Sequence, residues 1–349
     1  MSAQFDLPTS FASCSIGLPH HTLEQKLAAI SSAGFTGIEL AFPDLQTFAT
    51  RHAHRNIAAD DYPALCKAAT AIRSLCHASN LAIIVLQPFS NFEGWPEGSP
   101  QREEAFSRAR GWIDIMDALG TDMLQVGASD SPGISASVAE LAADMAALAD
   151  LLAERGFRLA YENWCWATRA PLWRDAWEVV RAADRPNVGL CLDTFQSAGG
   201  EWGDPTTASG LIEDQGVGPD ALRERYRASW AELAKTVPPE KVFFLQISDA
   251  YLMGPPLKDS VDESGTRPRG RWSHDYRPLP YDGGYLPIVE FLEAVLMTGF
   301  RGWLSVEVFD GRFEAKHGDD LGGYANKAKE AVDRMLDEMA PEKVTGELV

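Results

Sequence analysis

The stretch VGLCLDTFQ (188–196) decides the fold, because it joins an apolar run to a carboxylate. Residues 188–192 are of the kind that forms a strand buried on both faces. Asp193 stands at the end of this run, where an ionised carboxylate is costly unless it reaches water or has a partner. Whether other strands of the chain end in the same way decides between these two alternatives.

Short apolar runs of this kind recur along the whole chain. The eight predicted strands are FASCSI (11–16), TGIELAF (36–42), LAIIVLQPF (81–89), DMLQVGA (122–128), FRLAYENW (157–164), VGLCLDTF (188–195), KVFFLQISDA (241–250) and GWLSVEVF (302–309). Because they are continuous apolar runs, they indicate strands of a parallel sheet that is covered on its faces.

Longer segments with helical spacing of their apolar residues separate these strands. They are HTLEQKLAAISSAG (21–34), DYPALCKAATAIRSLCHASN (61–80), REEAFSRARGWIDIMDALG (102–120), SVAELAADMAALADLLAERG (137–156), PLWRDAWEVVRAAD (171–184), ALRERYRASWAELAKTV (221–237), LPIVEFLEAVLMTG (286–299) and YANKAKEAVDRMLDEM (324–339). Eight alternating units predict the α/β class and a closed (β/α)8 TIM barrel.

The alternative architecture is an open doubly wound sheet. It is disfavoured because no GxGxxG follows the first strand and no GxxxxGK[ST] occurs in the chain. We expect a single domain over 1–349, with the barrel over about 11–338 and a frayed tail over about 339–349.

The composition limits the partners. The chain has 349 residues, 45% of them hydrophobic, and a formal net charge of −19, which disfavours nucleic acid and anionic membranes. The N-terminal residues have neither the basic nor the apolar region of a signal peptide, and five cysteines without a CxxC pair suit a reducing compartment. We therefore expect a cytoplasmic protein that acts on a small molecule, with homo-oligomerisation left open.

Polar residues close four of the predicted strands. Glu162, Asp193, Gln246 and Glu307 fall near the ends of strands five, six, seven and eight. In a barrel these side chains converge at the face that carries the active site, and clustered hard oxygen ligands suit Mg²⁺ or Mn²⁺, with Co²⁺ as a further candidate. For each residue alone, a solvated or salt-bridged strand-end side chain remains the alternative.

Other polar and aromatic residues are placed near the same face. Glu39 closes strand two and either supports the ligands or faces the substrate. RHAHR (51–55), with His52 and His54, is predicted as a loop over this face, and Trp164 as a wall for a flat substrate. Segments 196–220 and 251–285 are predicted as long loops after strands six and seven, where long loops are commonly functional. Whether the second acts as a lid is left open.

On these segments the chain resembles the xylose isomerase-like barrel superfamily, and within it the 3-dehydroshikimate dehydratases. The resemblance is carried by AGFTGIEL (33–40), VLQPFSNFEG (85–94), YENWCW (161–166), LDTFQ (192–196), FLQISDA (244–250), WSHDYRPLP (272–280) and LSVEVFDGRF (304–313). It implies that Glu162, Asp193, Gln246 and Glu307 are the ligands of a divalent metal. Sugar isomerases and epimerases of the superfamily carry histidine where this chain has Gln246, which favours a dehydratase.

The resemblance also implies a reaction. A general base removes the proton beside the ketone of a cyclic hydroxy-ketone acid, the metal stabilises the enolate, and loss of water turns 3-dehydroshikimate into protocatechuate. The candidate bases are Glu39, His274 and a histidine of RHAHR, in that order. Ser273 and Arg277 match the substrate-binding serine and arginine of the family, where an arginine can hold a carboxylate through two hydrogen bonds. For Arg277, a surface position on a polar loop is the alternative.

Two positions depart from the family pattern. Ser90 stands where bacterial dehydratases have arginine, and Gln196 stands where they have histidine, and both positions face the substrate in the family. These departures keep two alternatives open: a sugar or keto-inositol isomerase or epimerase on the same metal scaffold, and a binding protein with a degenerate site. A nuclease of the same fold is disfavoured by the charge of −19.

Overall fold

A closed parallel barrel forms the centre of the molecule. The computed structural model describes residues 6–213 and 217–339. The barrel strands, numbered in chain order, are β1 (Thr9–Ala12), β2 (Gly37–Ala41), β3 (Ala82–Phe89), β4 (Met123–Gly127), β5 (Arg158–Glu162), β6 (Val188–Asp193), β7 (Val242–Ile247) and β8 (Trp303–Val306). Each overlaps one of the eight predicted segments, so the predicted (β/α)8 barrel is confirmed.

The strands pair in the order of the sequence, and β8 closes the barrel against β1. Phe11 of β1 aligns with Val306 of β8 and, on its other side, with Ile38 of β2. All pairs are parallel, so the carboxyl ends of the strands meet at one face of the barrel, which is called the barrel mouth below.

Helices surround the barrel, and the described residues contain twelve. They are Leu23–Ser32, Phe42–Ala53, Tyr62–Ala78, Pro100–Leu119, Val138–Ala153, Trp173–Ala183, Thr194–Glu201, Pro219–Thr236, Pro268–Asp275, Ile288–Met297, Phe313–His317 and Leu321–Glu338. The eight predicted helices are all present. Side-chain caps begin several of them; the Thr22 hydroxyl, for example, accepts a hydrogen bond from the amide of Gln25.

Three helices replace structure that the sequence predicted as loop. RHAHR is not a loop, because residues up to Ala53 belong to the helix Phe42–Ala53 and His54 caps its end. The segment after β6 begins with the helix Thr194–Glu201, which the Asp193 carboxylate caps. The segment after β7 contains the helix Pro268–Asp275, called the roof helix below, which lies beside the barrel mouth.

The roof helix is tied to the loops of neighbouring barrel strands by two arginines. Arg267 donates hydrogen bonds to the carbonyl oxygen of Trp166 and to the Thr168 hydroxyl, both after β5. Arg269 donates to the carbonyl oxygen of Gly199, after β6, at 2.8 Å. The segment is therefore held in place by polar contacts as well as by Trp272, which is fully buried.

The structure also bears on the predictions for the cysteines and for membrane-spanning helices. The five cysteines are free thiols, and three of them are buried: Cys76, Cys165 and Cys191. Among helices of the described residues, none combines the length and the apolarity that a membrane span requires. The extent of the domain stays a prediction, and the tail lies outside the described residues apart from Met339.

Candidate metal centre at the barrel mouth

Three carboxylates from three strands converge at the barrel mouth. Glu162 is the last residue of β5, Asp193 is the last residue of β6, and Glu307 follows the end of β8. One oxygen atom from each lies within 4.8 Å of the others, and all three side chains are buried. The sequence prediction that these strand ends meet is borne out by this geometry.

Burial and mutual repulsion make the charged form of these groups costly. Burial is the main cause that raises the pKa of Glu162, and the neighbouring Glu307 and Asp193 raise it further. Burial also raises the pKa of Glu307, to about 7, although Arg277 opposes the shift. The pKa of Asp193 is raised by burial too, even with Arg277 beside it. The cluster therefore needs positive charge to stay ionised at neutral pH.

Arg277 supplies part of this charge. Its Nη2 lies 2.5 Å from Asp193 Oδ2 and 3.2 Å from Glu307 Oε2, and its side chain is only 1% exposed. The same nitrogen donates to the Ser248 hydroxyl, and Nη1 donates to the Ser273 hydroxyl at 3.3 Å. The alternative of a surface arginine is therefore wrong.

Two glutamines that the sequence analysis did not single out support the carboxylates. Gln125 of β4 donates a hydrogen bond through Nε2 to Glu162 Oε2, and Gln87 of β3 donates to Glu307 Oε1 at 3.1 Å. Both are polar residues in otherwise apolar strands, which is the signal that identified Gln246. Applied to β3 and β4, it would have found them.

Gln246 and Glu39 form a pair beside the cluster. Gln246 Nε2 donates to Glu39 Oε2 at 2.8 Å, and Gln246 Oε1 accepts a weak hydrogen bond from the Cys191 thiol. Both side chains are fully buried. Burial, followed by repulsion from Glu307, raises the pKa of Glu39 to about 8. The ligand role of Gln246 and the catalytic role of Glu39 stay predictions.

The donor set fits a divalent metal. Glu39, Glu162, Asp193 and Glu307 are four buried carboxylates, and in the described part of the chain Arg277 is the one cation that contacts any of them. Glu162 Oε1 is buried and has no hydrogen-bond partner in the part of the chain that the structure describes. Oxygen-rich sites of this charge suit Mg²⁺ or Mn²⁺.

A cavity of about 210 Å³ is lined by two of the three carboxylates, Glu162 and Glu307, and Asp193 is not among the described residues that line it. Its lining includes all four residues predicted to bind substrate, together with His274: Trp164, Gln196, Ser273, His274 and Arg277. Glu39 and Gln246 are not among the described residues that line it. A cavity below the usual range of about 300–1,000 Å³ suits a small, compact ligand.

Two tryptophans form a flat wall of this cavity. The rings of Trp164 and Trp166 stack at 5.1 Å between centroids, and the His274 ring meets Trp166 edge-on at 5.6 Å. Partial burial is the main cause that lowers the pKa of His274, so its imidazole is neutral near pH 7. The Gln196 Oε1 atom accepts the amide of Cys165 at 2.9 Å, which turns its NH₂ group away from that backbone.

The structure leaves other predicted residues away from the cavity. His52 and His54 are exposed at the end of the helix Phe42–Ala53 and line a separate surface groove with Glu24. Neither is among the described residues that line the cavity, so a catalytic role for either stays a prediction without support from the cavity lining. His20 and His21 contact Asp319 at the surface, and Ser90 is not among the residues lining the cavity in the described chain.

Comparison with known proteins identifies the family to which this barrel with its carboxylate cluster belongs. The chain belongs to the xylose isomerase-like TIM barrel family, whose family model matches residues 27–338. A 3-dehydroshikimate dehydratase of Neurospora crassa is 33% identical to it over 324 residues, which cover 88% of each chain. The resemblance inferred from the sequence motifs is therefore confirmed.

Two further similarities cover most of this chain but less of the other protein. A 3-dehydroshikimate dehydratase of Pseudomonas aeruginosa is 32% identical over 294 residues, which cover 84% of this chain and 37% of that protein. Among solved structures, a xylose isomerase-like TIM barrel/4-hydroxyphenylpyruvate dioxygenase fusion protein is similar with a TM-score of 0.72. It is 25% identical, and the match covers 98% of this chain and 44% of that one.

Proposed function

We propose that this protein is a divalent-metal-dependent hydro-lyase that dehydrates 3-dehydroshikimate to protocatechuate. The observation that carries the proposal is the buried cluster of Glu162, Asp193 and Glu307, of which Glu162 and Glu307 line a cavity together with Arg277. The relatives named 3-dehydroshikimate dehydratase supply the substrate.

Glu162, Asp193, Gln246 and Glu307 would hold the metal, with Mn²⁺ or Mg²⁺ as the first choices and Co²⁺ as a third. When bound, a divalent cation stabilises negative charge on a ketone oxygen as the neighbouring proton is removed. One carboxylate oxygen each of Glu162, Asp193 and Glu307 lies within 4.8 Å of the others, so the carboxylates are already close together. Glu162 Oε1 has no hydrogen-bond partner among the described residues.

Ser273, Arg277 and Gln196 would bind the polar groups of the substrate. The Arg277 guanidinium and the Ser273 hydroxyl line the same cavity and contact one another, so a carboxylate can be bound by both. Gln196 offers an NH₂ donor rather than the basic group of a histidine. The stacked faces of Trp164 and Trp166 suit a six-membered ring with a flat product.

His274 is the better candidate for the general base. It lines the cavity and its pKa is lowered, so it is able to accept a proton near neutral pH. Glu39 is fully buried, accepts a hydrogen bond from Gln246 and lies outside the cavity lining. His274 takes the proton beside the ketone and returns it to the departing hydroxyl, which leaves as water. The dienone that remains enolises, with a proton of its ring CH₂ group lost and the ketone oxygen protonated, and this gives the aromatic ring.

The test is protocatechuate absorbance after metal-supplemented protein is mixed with 3-dehydroshikimate. The wild type is expected to form product, and Glu307→Gln is expected to lose most of the activity because a ligand carboxylate is gone. Glu201→Gln is the matched control, since Glu201 is a mostly buried glutamate that pairs with Arg174 away from the cavity. This control is expected to keep the wild-type rate.

Other outcomes would point to other functions. Protein that binds Mn²⁺ but forms no protocatechuate would reject the dehydratase proposal and favour an isomerase or epimerase, to be sought with keto-sugars and inososes. Protein that binds neither metal nor 3-dehydroshikimate would reject the metal-dependent enzyme altogether.

A further inference from the structure

We propose that β4 is a positioning strand for Glu162. Gln125 acts directly and Gly127 acts through Trp164, and together they fix which Glu162 oxygen is free to bind metal. The inference rests on the proposed metal site, but it concerns residues for which neither the family pattern nor the sequence analysis gave a role. β4 contributes none of the four predicted ligands.

The two oxygens of Glu162 have different surroundings. Oε2 accepts hydrogen bonds from Gln125 Nε2 and from Trp164 Nε1, the latter at 2.9 Å. Oε1 is buried and has no partner among the described residues. Two donors on one oxygen hold the carboxylate in a single orientation and leave the other oxygen as the open ligand atom.

Gly127 provides the space that Trp164 occupies. A Cβ atom built at Gly127 would lie 2.0 Å from Trp164 Cζ2 and 2.2 Å from Cε2. Gly127 is also aligned directly with Glu162 in the pairing of β4 with β5. The indole therefore lies across the end of β4, and its N–H reaches Glu162 because residue 127 has no side chain.

Burial of the Gln125 side-chain amide costs free energy unless its NH₂ group donates a hydrogen bond. Its Oε1 atom is buried without a hydrogen-bond partner, which carries a desolvation cost that an apolar side chain would avoid. The residue is 1% exposed, so contact with solvent does not compensate. The donated hydrogen bond to Glu162 is the interaction that accounts for an amide at this place.

The experiment measures Mn²⁺ affinity by calorimetry on metal-stripped protein, together with the melting temperature of the same metal-free samples. Trp164→Phe keeps a ring but removes the N–H donor, and Gln125→Met keeps the approximate volume but removes the NH₂ donor. Each is expected to weaken Mn²⁺ binding by about 10–100-fold. Gln125→Met is expected to keep the wild-type melting temperature, because it also removes the unpaired acceptor.

The matched control is Trp173→Phe. Trp173 is a buried tryptophan, whereas Trp164 is partly buried, and its Nε1 also donates a hydrogen bond, in this case to the Ser229 hydroxyl at 2.8 Å, away from the cavity. This variant is expected to lower the melting temperature while leaving Mn²⁺ affinity at the wild-type value. Gly127→Ala should weaken Mn²⁺ binding as Trp164→Phe does, since it displaces the indole.

The outcomes separate this inference from the proposed function. Wild-type Mn²⁺ affinity in both Trp164→Phe and Gln125→Met would overturn the inference, whatever the catalytic activity. A wild-type protein without Mn²⁺ binding would overturn the inference and the metal site together. Weakened binding in the variants of a protein that forms no protocatechuate would support the inference and reject the dehydratase.

Discussion

At the scale of single residues, Arg277 is the side chain on which the charge balance of the barrel mouth depends. Its side chain is almost fully buried and contacts Asp193 and Glu307, so its positive charge offsets the repulsion between these two buried carboxylates. A buried charge that loses its partner is strongly destabilising. Arg277 and the proposed metal would therefore stabilise the same carboxylates.

Replacement of this arginine should separate the two contributions. Arg277→Met is expected to lower the free energy of unfolding of metal-free protein by about 3–5 kcal/mol, because two buried carboxylates lose their cation. The stabilisation by Mn²⁺ should grow, since a competing cation is removed. Urea unfolding with and without Mn²⁺ measures both effects.

The control for this prediction is Arg174→Met, which removes an arginine from the mostly buried Glu201 elsewhere. It should lower stability without enlarging the Mn²⁺ effect. Loss of Mn²⁺ stabilisation in Arg277→Met would contradict the prediction and would mean that Arg277 supports metal binding.

Asp249 gives a prediction for pH that does not involve the metal ligands. Its Oδ1 accepts the amides of Ala250 and Leu286 and so joins the end of β7 to the segment before the helix Ile288–Met297. Burial raises its pKa from 3.8 to about 6, although the backbone amides oppose the shift. The folded protein therefore holds this proton more tightly than the unfolded chain does.

Because folding raises this pKa, the contribution of Asp249 to the free energy of unfolding falls as the pH rises. The stabilising contribution of the Asp249 proton is complete below about pH 4 and is lost as the pH rises through about 6, by about 3 kcal/mol at most. Asp249→Asn keeps the acceptor oxygen without the charge, so the variant should gain stability relative to wild type between pH 4.5 and pH 7. Urea unfolding of both proteins at these two pH values measures this gain in the free energy of unfolding.

Asp259→Asn serves as the control, because Asp259 is exposed on the segment after β7. It shows what removal of a carboxylate from the surface does to the free energy of unfolding at each pH. A difference for Asp249→Asn that is the same at both pH values would mean that folding does not raise the pKa of Asp249.

At the scale of elements, the roof helix determines the upper side of the cavity. It carries Ser273 and His274 into the lining and is held by Arg267 and Arg269 to loops after β5 and β6. Precise placement of substrate-binding groups depends on such supporting contacts. The arginines of this helix should therefore act on substrate binding rather than on metal binding.

Arg267→Met is expected to raise KM several-fold and to leave Mn²⁺ affinity unchanged, because Ser273 and His274 lose a fixed support while the carboxylates keep theirs. Arg271→Met is the matched control on the same helix. Among the described residues, Arg271 donates hydrogen bonds to carbonyl oxygens of the preceding segment, those of Lys258, Ser260 and Thr266. Similar KM values for the two variants would contradict a specific role for Arg267.

The regular elements were predictable because their signals are local. Each barrel strand is a continuous apolar run and each of the eight outer helices has an apolar face, so one window of sequence suffices. The helix Thr194–Glu201 was missed because Gly199 and Gly200 have low helix propensity. Its formation depends on the Asp193 cap and on burial. The roof helix was missed because its sequence is charged and contains Gly270. Its arginines contact carbonyl oxygens that lie far away in the sequence, so a short stretch of sequence cannot predict these contacts.

The candidate site was predictable to a similar depth. Glu162, Asp193 and Glu307 could be found because a polar residue at the end of an apolar strand is a local anomaly. The pairing of Arg277 with Asp193 could not, because it joins residues 84 positions apart through the fold. His52 and His54 were predicted on a loop because the helix Phe42–Ala53 was not recognised. Neither is among the described residues that line the cavity.

At the scale of the whole molecule, the metal should contribute to global stability. A ligand that binds only the folded state adds about 2.7 kcal/mol at a concentration of one hundred times its dissociation constant. Removal of metal by a chelator is therefore expected to lower the melting temperature, and Mn²⁺ should restore it. Calorimetric scans of stripped and reloaded protein measure the effect.

The same treatment of Glu307→Gln provides the control. This variant lacks one of the three clustered carboxylates, so the chelator should change its melting temperature much less. An identical shift in both proteins would place the stabilising metal at another position in the molecule.

The long reach of the roof helix arginines has a consequence for the order of events during folding. Arg267 donates hydrogen bonds to the carbonyl oxygens of Trp166 and Asp130, which precede it by 101 and 137 residues, so each contact closes a long segment of chain at a cost in conformational entropy. Helices form from contacts between residues that are close in sequence, and we expect them to form before this side of the cavity. During refolding, the recovery of helical signal should therefore come before the recovery of substrate binding.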